Sequence, residues 1–209
     1  MVIYERIAQG VRRFREQVFP ERQELYRELG HQQAPEVLFI GCIDSRVVPA
    51  ELCNTGPGEM FVERTPGNLV PIYRAEAVGV SASIEYAVSA LRVSEIIVCG
   101  HSDCGALKGL LQPEHLANLP AVARWLRYAQ EALAQVTAAH PHAVGEHKLA
   151  LLCQFNVRVQ LRHLLSHPAV RARVDDGSLR LRGWVYDIPT GQVAHYDERG
   201  DHFALWPPD

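Results

Sequence analysis

Ile3, Ile7, Val11, Phe14 and Val18 recur three or four residues apart, with polar residues between them. That spacing predicts an amphipathic helix over the first twenty residues, ending before Pro20. A second short helix is expected over residues 22–29, stopping at Gly30. The pattern then changes. "EVLFIGC" (36–42) is a short continuous apolar run closing on glycine and cysteine, which predicts a buried strand. "EMFVERT" (59–65), introduced by the turn residues "GPGE", predicts a second. "AEAVGVSASIEYAVSALRV" (75–93) reads as a helix with Val80, Ile84, Val88 and Leu91 on one face, and "EIIVCG" (95–100) as a third strand, followed by a helix from Cys104. Two long helical patterns occupy residues 119–140 and 150–167, the second ended by Pro168. "LRLRGWVYDIPTGQVAHYD" (179–197) is two alternating runs around "PTGQ", a hairpin pattern. Buried strands separated by helices predict an α/β fold, a mostly parallel central sheet covered by helices.

Composition narrows the class. A chain of 209 residues favours one compact domain over 1–209. With 47% apolar and 22% charged residues and a formal net charge of -3, it has no electrostatic footprint for a nucleic-acid partner. No stretch approaches the roughly 20 apolar residues of a membrane span, and the N-terminal segment lacks the apolar core of a secretory signal. The expected location is therefore the cytoplasm. In that reducing compartment Cys42, Cys53, Cys99, Cys104 and Cys153 read as buried thiols, metal ligands or catalytic groups, not disulfides.

The chemistry concentrates at strand ends. His101 and Cys104 lie just past the carboxyl end of "EIIVCG", and Cys42 is the last residue of "EVLFIGC". Sites in open parallel sheets form beyond such ends, and strands about 4.8 Å apart can bring the donors together. Cys42, His101 and Cys104 are the predicted ligand set of a transition metal. Three protein ligands with a fourth position for water is the signature of a catalytic zinc site. Cys99 sits inside the apolar run and reads as a core residue. In "CIDSR", Asp44 is either a fourth ligand that closes the site or a carboxylate gripped bidentately by Arg46.

"CIDSR", "GHSDCG" (100–105) and "GWVYDI" (183–188), in that order, resemble the β-class carbonic anhydrases, and the resemblance extends through "FVERTPGNLVP", "VSASIEYAVSALRVSEIIVCGH" and "PAVARWLRYA" over nearly the whole chain. It looks closest to bacterial members of the plant-like branch. The resemblance implies reversible hydration of carbon dioxide to bicarbonate and a proton, with one Zn2+ per subunit on Cys42, His101 and Cys104. It implies that Asp44 orients a zinc-bound hydroxide and Arg46 holds Asp44, which in a closed state would itself bind the metal. Gln33 and the N–H of Gly105 match substrate contacts. Phe61 and Tyr86 match walls of the carbon dioxide pocket, some contributed across a dimer interface. Self-association as a dimer or an assembly of dimers is implied, with residues 1–30 as a helical arm packing on a partner subunit.

Two departures stand out. Thr65 and Pro66 follow Arg64 where the family usually has asparagine and a small residue, which puts pocket width in question. Phe39 stands where one branch carries a tryptophan of an inhibitory bicarbonate site, so no such switch is expected. Competing readings are a zinc hydrolase of the same fold acting on CS2 or COS, and a non-catalytic protein stabilised by zinc.

Overall fold

A computed structural model describes residues 2–74 and 79–207. Two compact units are present, Met1–Ala34 and Pro35–Asp209. In the first unit, α1 (Ile3–Arg13) runs through a π-turn (Phe14–Val18) into α2 (Phe19–Glu21), and α3 (Gln23–Leu29) follows. The helix expected to stop before Pro20 thus passes it. The π-turn closes wider rings, with the Phe19 N–H bonding the Phe14 carbonyl, and takes the proline into the first turn of α2. None of these helices has a buried residue; Ile3, Ile7, Val11 and Phe14 are exposed.

The second unit is α/β. Its elements in order are β1 (Val37–Cys42), α4 (Pro49–Leu52), β2 (Met60–Thr65), α5 (Gly79–Glu85), β3 (Glu95–His101), α6 (Gly105–Leu111), α7 (Pro120–Trp125), α8 (Gln130–Ala139), α9 (Gly145–Leu164), α10 (Pro168–Asp175), β4 (Arg180–Tyr186), β5 (Val193–Asp197) and β6 (His202–Trp206). The strands form one sheet in the order β2-β1-β3-β4-β5-β6. The first four are parallel, and β5 and β6 are added antiparallel. Residues 75–78 of the expected 75–93 helix lie outside the described residues; from Gly79 it is helical, and a π-turn (Tyr86–Ala90) ends it. The pattern over 119–140 is broken by a 3₁₀ turn (Leu126–Ala129) that separates α7 from α8. The helix expected over 150–167 runs instead from Gly145 to Leu164, stopping before Pro168, which opens the next helix at the position where its missing N–H costs nothing. β6, an exposed edge strand of five residues, carries too little apolar alternation to be legible in the sequence.

Both faces of the central strands are covered, which is why their sequences run apolar without alternating. Leu38, Ile40, Ile96 and Val98 pack with Val80, Ile84 and Val157, whereas Phe39, Ile97, Cys99 and Trp184 form a cluster of their own. α9 crosses the sheet at Gly183, where a Cβ would stand 2.8 Å from Val157 and 3.0 Å from Leu161; only glycine admits so close an approach.

α9 and the turn after it also carry two buried histidines. His163 Nδ1 lies 2.8 Å from the Val70 carbonyl, and His167 Nε2 2.9 Å from that of Pro71. Desolvation holds both pKa values below the ordinary histidine value, against the pull of these carbonyls. Folded, the rings stay neutral; unfolded, they take up protons below about pH 6.5. Their contribution to stability is therefore complete above that pH and is lost as pH falls toward the folded values. Urea midpoints measured from pH 7.5 to 5 should decline, and less steeply in His167→Gln, which keeps a donor but does not titrate. Equal slopes would remove His167 from this account.

Candidate metal centre

Gly41 on β1 is paired with Cys99 on β3, so Cys42 and His101 reach the carboxyl edge of the sheet within one residue of each other. Cys104 follows after a turn in which Asp103 adopts φ +58, and caps α6. The three side chains are buried, and one donor atom from each lies within 4.8 Å of the others. A tetrahedral zinc with Zn–S near 2.3 Å and Zn–N near 2.0 Å sets its ligand atoms about 3.7 Å apart. The set therefore needs to close by about 1 Å at most to hold one. His101 Nδ1 sits 2.8 Å from the Ser102 carbonyl, which fixes the proton on that nitrogen. Its Nε2 is left buried with no hydrogen-bond partner. An orphaned buried acceptor facing two thiols is what a metal site looks like from its protein side.

The thiols are electrostatically paired. Cys42 is pulled well below the usual thiol range, first by the neighbouring Cys104 thiol and further by His101 and the Gly67 N–H, against the opposing effect of burial. Cys104 is pushed up, because its ionisation would place a second negative charge beside Cys42 and away from water. The pair shares one proton that a divalent cation would displace. The other cysteines differ: burial raises Cys53 and Cys99, and pushes Cys153 up to about 12. Cys99 is a core residue, as its place in the strand predicted.

Asp44 lies beside the donors, its Oδ2 4.0 Å from His101 Nε2. Arg46 grips it at both oxygens, Nε to Oδ1 at 2.9 Å and Nη2 to Oδ2 at 2.8 Å, and the Arg46 backbone N–H adds a third bond of 3.0 Å. The Arg46 guanidinium is the main reason the carboxyl is held far below the usual carboxylate range. The arginine is anchored in turn: Nη1 donates to Asp103 Oδ2 at 3.0 Å and Nη2 to the Asp103 carbonyl at 3.1 Å, while Lys108 Nζ pairs with Asp103 Oδ1. Arg64 straps the same loop, donating to the Cys42 and Asp44 carbonyls at 3.0 and 2.8 Å.

Gly105 opens α6 directly after Cys104, where a first-turn N–H has no intrahelical partner. Gln33 lies in the N-terminal unit. Phe61 and Tyr86 are neighbours, with ring centroids 6.0 Å apart. Phe61 lies four positions before Thr65, the residue opposite Cys42, and so roughly 13 Å back along β2 from the metal edge. The structure thus brings Cys42, Asp44, Arg46, His101, Cys104 and Gly105 together, while Phe61 and Tyr86 pair elsewhere. Sequence reasoning missed Asp103 and Lys108. Asp103 stood inside the quoted "GHSDCG", but nothing in one dimension sets it against an arginine 57 residues earlier.

Comparison with known proteins bears on this centre. A family model described as carbonic anhydrase matches residues 37–193. A carbonic anhydrase of Pseudomonas aeruginosa is 46% identical over 198 residues, covering 95% of this chain and 90% of the relative. The solved β-carbonic anhydrase CcaA superposes with a TM-score of 0.94 at 38% identity, over 98% of this chain and 100% of that one. A structure described among two tetrameric β-carbonic anhydrases from Sordaria macrospora gives 0.83 at 26% identity, over 92% and 95%.

Proposed function

The chain belongs to the β-class carbonic anhydrases, and from that premise we infer that it is an enzyme catalysing the zinc-dependent, reversible hydration of carbon dioxide to bicarbonate and a proton. The observation that carries this reading is the buried Cys42, His101 and Cys104 set with an arginine-held carboxylate at its edge. Those three residues would hold the zinc, which when bound acts as a Lewis acid that makes water available as a nucleophile near neutral pH. The remaining work falls to the chain. Asp44, kept ionised by Arg46, is an acceptor only, and orients the attacking water by taking its hydrogen bond. Asp103 and Lys108 hold the far side of the Arg46 fork, which fixes the direction of Asp44. The Gly105 N–H donates to a substrate oxygen. Among the alternatives, neither CS2 or COS hydrolysis nor a purely structural zinc is favoured by any observation.

Gln33, Phe61 and Tyr86 are assigned to the substrate pocket of an oligomer. Phe61 and Tyr86 are too far back along the sheet to wall the metal centre of their own subunit, which supports their service to a partner's. Ile43, Val62 and Tyr86 are exposed apolar side chains on or near β2, the edge strand, and the N-terminal unit presents Ile3, Ile7 and Val11. Such surfaces fit association with a second copy as a dimer or an assembly of dimers. A cytoplasmic location is supported by five free cysteines, and among the described residues no helix is long and apolar enough to cross a membrane.

The test is a stopped-flow hydration assay with zinc quantified in the same sample and the assembly state measured by sedimentation. Expected are one zinc per chain, carbon dioxide hydration well above any turnover of COS or CS2, and a species of at least two subunits. A fully active monomer would refute the shared pocket.

A further inference from the structure

Behind the Cys42 sulfur lies a buried polar arrangement that the ligand set does not explain. The Gly67 N–H donates to Cys42 Sγ at 3.3 Å. That N–H belongs to the Pro66–Gly67 peptide, whose carbonyl accepts from Trp125 Nε1 at 2.9 Å. The peptide is planar, with its N–H and C=O pointing in opposite directions. An indole that fixes the oxygen therefore also fixes where the N–H points. The next peptide is fixed as well, since Asn156 Nδ2 donates to the Gly67 carbonyl at 3.0 Å. Gly67 takes φ +76, a conformation that L side chains rarely adopt, so both flanking peptides need holding.

The support continues inward. Gln160 Nε2 donates to Asn156 Oδ1 at 2.9 Å and to the Tyr128 carbonyl at 3.1 Å, while its Oε1 accepts from the Val70 N–H at 2.8 Å. Asn156 and Gln160 are both fully buried on α9. Every polar atom of the two amides that these bonds engage serves the 66–70 loop or its brace. Burial of a polar side chain is costly unless its hydrogen bonds are made, and a buried network whose bonds are made holds its partners rigidly.

We propose that Trp125 and Asn156, with Gln160 behind them, are positioning residues that aim the Gly67 N–H at the Cys42 sulfur and so set how tightly the chain holds its metal. Resting on the reading of Cys42 as a zinc ligand, the inference adds an outer shell from α7 and α9. An N–H aimed at a thiolate stabilises its charge and orients its lone pairs. Outer-shell partners of this kind are worth about 10- to 100-fold in metal affinity.

The experiment measures zinc dissociation constants by competition with a chromophoric chelator in the full chain, for the parent, Trp125→Phe, Asn156→Asp, Leu164→Ala and Cys42→Ser. Trp125→Phe keeps an aromatic ring and removes the donor; Asn156→Asp keeps the acceptor toward Gln160 and replaces the amide donor. Leu164 is fully buried one turn beyond Gln160 on α9, makes no hydrogen bond to the 66–70 loop, and serves as a packing control on the same helix. Expected is an affinity about tenfold weaker in Trp125→Phe and Asn156→Asp, with parental affinity in Leu164→Ala even if that variant loses more thermal stability. In the cobalt-substituted protein, the sulfur-to-metal charge-transfer band should move to lower energy in the first two variants alone, because the sulfur lone pair loses its stabilising N–H. Affinities within twofold of the parent, an unmoved band, or an equal loss in Leu164→Ala would each overturn the proposal. Undiminished zinc binding in Cys42→Ser would instead refute the ligand assignment on which it rests.

Discussion

Cys42→Ala will purify as a folded protein that neither retains zinc through dialysis against a mild chelator nor hydrates carbon dioxide above the uncatalysed rate. The substitution removes one of two sulfur donors and leaves His101 and Cys104, a pair that cannot enclose a cation. Elemental analysis should find less than about a tenth of a zinc per chain, since metal affinity of such sites is built cooperatively from all ligands. Activity must follow, because without a Lewis acid water is too weakly acidic to supply an effective nucleophile at neutral pH. The fold should survive. Cys42 closes a strand whose other residues pack in the core, and the main local loss is the acceptor of the Gly67 N–H, worth roughly 1–3 kcal/mol. Circular dichroism at the parental signal would separate loss of metal from loss of structure. A metal-free variant with the parental rate would overturn the assignment of the whole centre.

The contrast between what could and could not be foreseen is physical. Cys42 and His101 were legible because each closes a continuous apolar run, and parallel sheets gather their sites at that edge. Cys104 was legible because the interval to His101 is one short turn. Asp44 and Arg46 were legible because two residues of separation are enough for a carboxylate and a guanidinium to meet. The residues behind them were not. Asp103 reaches Arg46 across 57 positions, and Trp125 reaches Pro66 across 59. Asn156 and Gln160 sit in a helix whose apolar spacing looked ordinary, with nothing to mark two of its amides as turned inward. Local periodicity reports which way a strand or helix faces; it carries no record of which distant loop comes to lie against it. The breaks at residues 14–18 and 126–129 were hidden for a related reason, since π- and 3₁₀ turns shift the helical phase by a fraction of a turn that a short window absorbs.

Asp44→Asn should give the complementary phenotype: zinc retained at one per chain, rate lost by about 10²- to 10³-fold, within the range that a positioned proton-accepting group contributes. The introduced amide would fill the same space as the carboxylate, so the ligand set at its side is undisturbed. What changes is the direction of the hydrogen bond. The aspartate, with both oxygens against Arg46, can only accept. An amide offers a donor as readily as an acceptor, and Arg46 would select the oxygen, turning the NH2 toward the position that the attacking water must occupy. A donor there opposes the orientation in which a water lone pair faces the substrate carbon. The loss should fall on kcat more than on KM, because the interaction concerns the nucleophile and not the binding of an uncharged gas. Arg46→Lys tests the same logic from the other side: a single ammonium cannot reproduce two parallel bonds to Asp44 together with two to Asp103, so the carboxylate would be held less firmly and the rate should fall with zinc still in place. If Asp44→Asn kept both metal and the parental rate, Asp44 would be a surface carboxylate that happens to lie near the centre, and the orienting role would pass to another group.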